Sequence, residues 1–352
     1  MKKVIVAMSG GVDSSVTAAL LLKEGYEVEG MTMRLWQDER RAPNYQPEQD
    51  AAKVCAILGI KHQVIDYTEF FKDTVVAYFL QEYAAGRTPN PCVHCNKKLK
   101  FGELFTAAMA AGGDYLSTGH YVRLAEKNNN FYIQKATSLA KDQSYVLYHL
   151  QQHILSHVIF PLGIYDKPEV RLLAKEMALP VFAKKDSQEI CFIPDNDHHS
   201  FLNTYAAQQD RPGKFVTTAG EVLGRHQGLS HYTVGQRKGL GIAATEPLFV
   251  LDLDSKRNEV VLGFAAEAGC SGLLATDVTF ADEIFPREPF ACEVKIRYNA
   301  KPQKAKVIPH MDSKTAEVMF AAPLRGIAPG QAVVFYEEDI CLGGGTIAHS
   351  IK

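Results

Sequence analysis

The sequence predicts an α/β chain: a doubly wound parallel sheet first, a small domain of different character next, and a β-barrel at the C-terminal end. Three observations carry this expectation. Apolar runs of strand length alternate with helical stripes over about the first 200 residues; from about Phe201 the stripes give way to short runs split by Gly and Pro; beyond Gly272 strand-length segments recur at barrel-like spacing. The expected domains are 1–200, 201–272 and 273–352, with no internal repeat or low-complexity segment.

The first strand is the apolar run Val4-Ile5-Val6-Ala7-Met8, and a helix with Val12, Val16, Ala19 and Leu20 on one stripe follows, stopped by Gly25. Between them lies Ser9-Gly10-Gly11-Val12-Asp13-Ser14-Ser15. A strand, a Gly-rich turn and a helix in that order form an anion site, because unpaired N–H groups and the positive end of the helix dipole converge there. Gly10 and Gly11 allow close approach, and Ser9, Ser14 and Ser15 add hydroxyl donors. Asp13 beside a phosphate is expected to hold Mg²⁺, since an unpaired carboxylate would repel the anion.

Alternation continues with a strand over Tyr26 to Met33, a helix from Pro47 to Leu58 closed by Gly59, and a strand at Lys61 to Asp66. Helices over Phe70 to Tyr83 and Leu99 to Ala111 and a strand at Asp114 to Thr118 complete the pattern. Ligands of such sheets bind beyond the carboxyl ends of the strands, where the Ser9 loop, Met33 and Thr118-Gly119-His120 all fall. In the last third, Ala291 to Tyr298, Ala305 to Ile308, Ala316 to Phe320 and Ala332 to Tyr336 read as strands. Within the first of these, Cys292, Val294, Ile296 and Tyr298 alternate with Glu293, Lys295 and Arg297, so the apolar set is expected inward and the basic pair outward. Residues 295–306 hold five Lys/Arg and no acid: a phosphate-binding face or a solvated basic hairpin.

A net charge of −2 confines any nucleic-acid contact to local patches of this kind. No leader opens the sequence and no apolar run approaches ~18 residues, so a cytoplasmic protein without membrane insertion is expected. Seven scattered cysteines do not resemble a secreted disulfide framework and point to thiol chemistry instead. Cys92 and Cys95 stand as a C-x-x-C ahead of a helix expected to begin near Lys97, where dipole and cations favour a thiolate. Half of a zinc site or a buried pair are the other readings, but Cys55, Cys270, Cys292 and Cys341 stand alone and offer zinc no second pair. Cys191 lies 96 residues after Cys95, behind the basic-then-acidic run from Lys184 to Glu189; on its own it reads equally well as a core cysteine.

The loop is neither G-x-x-x-x-G-K-[ST] nor G-x-G-x-x-G. It resembles the PP-loop, S-G-G-x-D-S, of the ATP pyrophosphatases, which cut ATP between its α and β phosphates on an adenine nucleotide alpha hydrolase-like fold. Together with R-T-P-N-P-C-V-H-C-N-K-K-L-K-F, S-T-G-H-Y, K-D-Q-S-Y-V-L-Y, D-S-Q-E-I-C-F-I, G-Q-R-K-G-L-G-I and P-G-Q-A-V-V-F-Y, it resembles the tRNA-specific 2-thiouridylases of the MnmA type along nearly the whole chain.

That resemblance implies a PP-loop catalytic domain, a small central domain and a tRNA-binding β-barrel. It implies ATP-dependent sulfur insertion at the 2-position of the wobble uridine, with Cys95 as nucleophile and Cys191 as persulfide carrier. It further implies ATP contacts at Ala7, Met8, Ser9, Gly10, Gly11, Val12, Asp13, Ser14, Met33 and Gly119, with Mg²⁺ alongside. Target-base contacts are implied at Asn90, Pro91 and Cys92, and tRNA contacts at His120, Lys141, Asp142, Gln143, Arg297, Tyr298 and Gln331. The implied partners are tRNAs for Lys, Glu and Gln and a persulfide donor, a cysteine desulfurase acting directly or through a relay, with the chain a monomer. Some members carry Asp where this chain has Cys92, which puts in doubt the acid/base role assigned to that carboxylate. A non-catalytic tRNA-binding or sulfur-carrier protein, or a PP-loop protein holding metal on Cys92, Cys95 and Cys191, are the competing readings.

Overall fold

The computed structural model describes residues 1–40, 46–184, 190–194, 197–206 and 211–352. Its first sheet has five parallel strands in the order β3-β2-β1-β4-β7: β1 (Lys3–Ala7), β2 (Glu27–Arg34), β3 (Lys61–Asp66), β4 (Tyr115–Ser117) and, after the hairpin β5 (Val122–Lys127) and β6 (Asn130–Lys135), β7 (Val158–Ile159). Val4, Ile5 and Val6 are all fully buried, as a parallel strand covered on both faces requires. Val4 and Val6 enter a core shared with α1 (Val12–Lys23) and α2 (Pro47–Leu58), while Ile5 enters the opposite one with Leu104, Ala108 and Leu116. Pro47 sits in the first turn of α2, and Gly59 closes it in the left-handed region at φ 67°, as expected.

The next two helices are longer than their apolar stripes. Residues 68–84 form α3, and residues 91–110 form α4 through Pro91–Cys95, Asn96–Glu103 and Leu104–Ala110. The expectation of a helix beginning near Lys97 is therefore corrected: the C-x-x-C lies inside the helix. Asn90 caps it, accepting the Val93 N–H at 3.2 Å, and Pro91 supplies the preset φ of the first helical position. The short α5 (Gln152–Leu155), α6 (Lys167–Glu176) and α7 (His198–Tyr205) complete the helices used below. Phe201 of α7 packs with Phe71, Phe79 and Phe192.

The central sheet is β8 (Gly213–Thr217), β9 (Val222–His226), β10 (Phe249–Asp254) and β11 (Glu259–Gly263) in the order β10-β11-β8-β9. Six antiparallel strands follow: β12 (Cys270–Phe280), β13 (Phe290–Lys295), β14 (Gln303–His310), β15 (Thr315–Leu324), β16 (Ala332–Glu337) and β17 (Ile340–Ile351). Pairing of β12 with β17 closes them into a barrel. The hairpin β5–β6, for which the sequence carries no expectation, extends this sheet through Ile340 opposite Gln134. One apolar cluster accordingly holds Ile133 and Tyr145 together with Val334, Tyr336 and Cys341 of the barrel. No helix among the described residues is long and apolar enough to cross a membrane.

Candidate nucleotide and sulfur site

The phosphate loop leaves β1 at Ala7 and Met8 and turns at Gly10, whose φ of 68° and contact with the Pro47 carbonyl, into which any Cβ would run, both demand glycine. Gly11 is the N-cap of α1 and offers no side-chain acceptor, so the first-turn N–H groups of α1, from Val12 onward, are left for a ligand. Ser9 is exposed, whereas Ser14 and Ser15 are buried. The expected ligand hydroxyls of Ser14 and Ser15 instead brace the loop: Ser14 Oγ accepts the Ser9 N–H at 3.1 Å, and Ser15 donates to the Gly11 carbonyl at 2.8 Å. Gly119 lies directly on the loop; a Cβ there would sit 2.9 Å from the Ser14 nitrogen. Met33, at the end of β2, is half-buried where two cores meet.

Asp13 does not stand as an unpaired carboxylate. Lys167 Nζ donates to both its oxygens at 2.7 and 2.9 Å, and the Tyr121 hydroxyl donates at 2.6 Å. A lysine from the first turn of α6 thus supplies the positive charge that the sequence reading assigned to Mg²⁺. As these side chains stand, they do not fit a metal on Asp13. Among the described residues no group of three or more His, Cys, Asp or Glu is placed to hold one, and that covers Cys92, Cys95 and Cys191.

Cys92 is exposed at the second helical position of α4, and Cys95, one turn on, is 8% exposed. Cys95 packs in a core with Phe71, Leu99, Phe192 and Ile193. Burial pushes its thiol up to about 12 despite Lys100, whose charge pulls the other way. The thiolate expected at this C-x-x-C is corrected on this ground: desolvation raises Cys92 as well, to about 11, and so outweighs dipole and cations at both thiols. Cys191 is exposed, but Phe192 and Ile193 beside it are buried in the core that holds Cys95, so the fold brings the two cysteines into one neighbourhood. The run at 185–189 lies outside the described residues. Lys184, just before it, reaches the phosphate loop, donating to the Gly10 carbonyl at 2.9 Å and to Asp50 at 2.8 Å.

The residues matched to tRNA contacts divide by burial. His120 is buried between Phe101 and Phe160, shares a 2.7 Å hydrogen bond with Thr118, and is held well below the usual imidazole range by desolvation. Asp142 is also buried and accepts from the Ala136 N–H, the Ser144 N–H and the Ser144 hydroxyl. Gln143 exchanges two hydrogen bonds with the Tyr121 backbone and so steadies the partner of Asp13; Lys141 lies half-buried in the same turn.

Arg297 donates to the carbonyls of Val234 at 2.8 Å and Gly326 at 2.6 Å, joining the central domain to the barrel. The expected outward basic pair is corrected here, because β13 ends at Lys295 and the alternation with it. Val294 and Ile296 are inward as expected, but Arg297 turns into the domain junction and Tyr298, expected inward, is exposed. Lys295 is half-buried over the rings of Tyr145 and Tyr298, 5.8 Å from each. Gln331 donates to the carbonyls of Thr88 and Pro89 at 2.9 and 3.1 Å, and the Thr88 N–H donates to Pro329. The barrel therefore holds the segment that carries Asn90, Pro91 and Cys92.

Residues 2–195 match the family described as tRNA methyl transferase HUP domain, residues 199–264 its PRC-barrel domain, and residues 270–347 the aminomethyltransferase beta-barrel domain. Over 358 residues the chain is 47% identical to the tRNA-specific 2-thiouridylase MnmA of Carboxydothermus hydrogenoformans, covering 98% of this chain and 97% of that one. Over 360 residues it is 45% identical to the tRNA-specific 2-thiouridylase MnmA 2 of Thermoanaerobacter sp., covering 99% of each. The chain belongs to the MnmA family of tRNA-specific 2-thiouridylases. Among solved structures, the U34-tRNA thiolase NcsA from Methanococcus maripaludis aligns at 20% identity over 58% of this chain and 64% of that one, with a TM-score of 0.36.

Three residues of this family member escaped the sequence reading: Lys167, Tyr121 and Lys184 as partners of the loop. Asp166-Lys167-Pro168-Glu169 does carry a helix-start signature, and the structure forms its capping box. That signature places Lys167 in a first turn. Nothing in it points across 154 residues to Asp13.

Proposed function

We propose that this enzyme, a tRNA sulfurtransferase by family, thiolates the wobble uridine at its 2-position by adenylation followed by sulfur transfer. The observation that carries the reading is the coupling of two chemistries through one segment: Lys184 bonds the phosphate loop, and a few residues later Cys191 sits beside the core that holds Cys95. A uracil carbonyl lacks a leaving group, so ATP must first convert its oxygen into one. On this reading the N–H groups of α1 hold the departing pyrophosphate, and Lys167, which bonds Asp13 beside them, shares its charge with it. Mg²⁺ is expected to arrive on the phosphates of ATP, with no loop residue assigned to it.

Sulfur then comes as a Cys191 persulfide from a desulfurase or relay protein. Either Cys95 attacks its inner sulfur and frees sulfide to displace AMP, or the terminal sulfur displaces AMP and Cys95 then releases the thiolated base. Both routes leave a Cys95–Cys191 disulfide. The base must leave the anticodon stack to be reached. The tRNAs for Lys, Glu and Gln are the expected substrates, and the protein is expected to act as a cytoplasmic monomer. Incubation with unmodified tRNA, ATP, Mg²⁺ and a sulfide source, followed by nucleoside mass spectrometry, tests the reading. Formation of 2-thiouridine is expected, and its absence would overturn it.

A further inference from the structure

Cys92 has no part in the scheme above, yet it is the thiol best placed to finish it. It precedes Cys95 by three residues on the first turns of α4. Neighbours at that spacing have Cβ atoms roughly 5–6 Å apart, and a disulfide needs about 3.5–4.5 Å, so closing the pair takes a movement on the order of 1 Å. The first turn of a helix is where such a movement costs least, because its N–H groups have no intrahelical acceptors to lose.

Exposure separates the two thiols. Cys95 lies in the core with Phe71, Phe192 and Ile193, out of reach of a reductant in solution, whereas Cys92 is exposed and belongs to none of the apolar clusters. Desolvation raises both thiols, Cys92 to about 11 and Cys95 to about 12, so Cys92 is the more readily ionised of the two, and Lys100 opposes the rise at each. Resting on the proposed thiolation, we propose that Cys92 is the resolving thiol that reopens the Cys95–Cys191 disulfide after each turnover.

The Cys92 thiolate attacks Sγ of Cys95. The Cys95–Cys191 bond breaks, Cys191 leaves with the electron pair and takes up a proton, and a Cys92–Cys95 disulfide forms. An external dithiol then attacks Cys92, supplying two electrons and two protons, and returns both thiols. The intramolecular first step competes well against direct attack on Cys191, because a tethered thiol has an effective concentration on the order of millimolar and needs no entry past bound tRNA. Cys191 is meanwhile free to accept its next sulfur.

Two measurements test this. Full-length protein treated with polysulfide is mixed with unmodified tRNA, ATP and Mg²⁺ without reductant, quenched with an alkylating agent and mapped by peptide mass spectrometry. A Cys92–Cys95 disulfide is expected in the wild type and a Cys95–Cys191 disulfide in Cys92→Ser. With limiting dithiol, Cys92→Ser should slow the turnovers after the first by on the order of tenfold more than it slows the first. Equal slowing of all turnovers, or Cys95–Cys191 trapped in the wild type, would overturn the proposal. Diamide oxidation of the protein alone gives the same mapping without tRNA. Recovery of Cys95–Cys191 and no Cys92–Cys95 from the wild type overturns the resolving role whether or not any tRNA is thiolated. An absence of 2-thiouridine with the Cys92–Cys95 bond present counts against the thiolation reading alone.

Discussion

The phosphate end and the thiol end of this enzyme are built in opposite states of readiness. At the phosphate end each part is pinned: Gly10 against Pro47, Gly119 against Ser14, Asp13 on Lys167 and Tyr121, and Lys184 on the Gly10 carbonyl. At the thiol end Cys95, the proposed attacking thiol, is buried and held protonated, while Cys92 and Cys191 are exposed. Preorganised donors stabilise charge as it develops without reorganising at the moment of reaction. A buried thiol does the reverse, and must wait for something to draw its proton away. On the proposed thiolation, the difference implies an order of events: the site is ready to activate the base before it is ready to deliver sulfur, which would keep sulfide from being released onto an unactivated carbonyl.

The largest effect expected from breaking this contrast is at the phosphate end. Asp13→Ala should abolish adenylation, and Lys167→Met should lower it by about 10²–10³, the usual cost of removing one preorganised donor. Both are read as pyrophosphate release with tRNA, and tRNA affinity should be largely retained. Wild-type release from either variant would mean that the loop is not assembled around this pair. At the thiol end the variants should separate the two cysteines. Cys191→Ser should take up no persulfide by intact-mass measurement, whereas Cys95→Ser should take it up and fail to turn over; the reverse pattern would exchange their roles.

A smaller effect sharpens the claim that Cys95 rests protonated. Its pKa of about 12 stands against roughly 8.5 for a free thiol, so raising the pH from 7 to 9 speeds alkylation of exposed thiols while Cys95 stays almost wholly protonated. Desolvation raises Cys92 as well, to about 11 against about 12 for Cys95, so iodoacetamide should modify Cys92 about tenfold faster than Cys95 at pH 9. A Cys95 that reacts first would reverse the comparison.

The smallest effect concerns stability. His149 is buried, and neither ring nitrogen makes a well-formed hydrogen bond among the described residues; desolvation, with Lys97 and His94 adding to it against the nearby Asn96 backbone, lowers it to about 3. A depressed folded pKa means that its contribution is full above the unfolded value near 6.5 and is lost as pH falls toward 3. Between pH 6.5 and 5 the loss is about 2 kcal/mol at most. Denaturant midpoints should fall over that interval less steeply in His149→Leu than in the wild type, and parallel curves would remove His149 as a cause.

The same two ends differ in how far they could be read from sequence. The loop is seven consecutive residues in a strand-turn-helix setting, and α2 announces both its ends with Pro47 and Gly59, so local chemistry was enough. The state of Cys95 was not legible, because it depends on Phe71, Phe192 and Ile193, which approach from distant segments, and burial then overrides the local charges. Asn90 as a cap was hidden by the prolines on either side, which read as loop. Arg297 was misplaced because period two holds only while the strand lasts, and β13 stops two residues short of it.

The pairing of β6 with β17 bears on the way the chain is made. The hairpin at 122–135 leaves the ribosome long before residues 340–351, yet Tyr145 and Ile133 find Val334, Tyr336 and Cys341 only when those last strands arrive. Such distant pairing is slow to form, and until it forms a nascent chain displays an unfinished sheet edge and an uncovered apolar face. The first 200 residues made alone carry that edge permanently, so aggregation during synthesis, rather than loss of catalytic groups, is the expected defect of a chain truncated before its final strand.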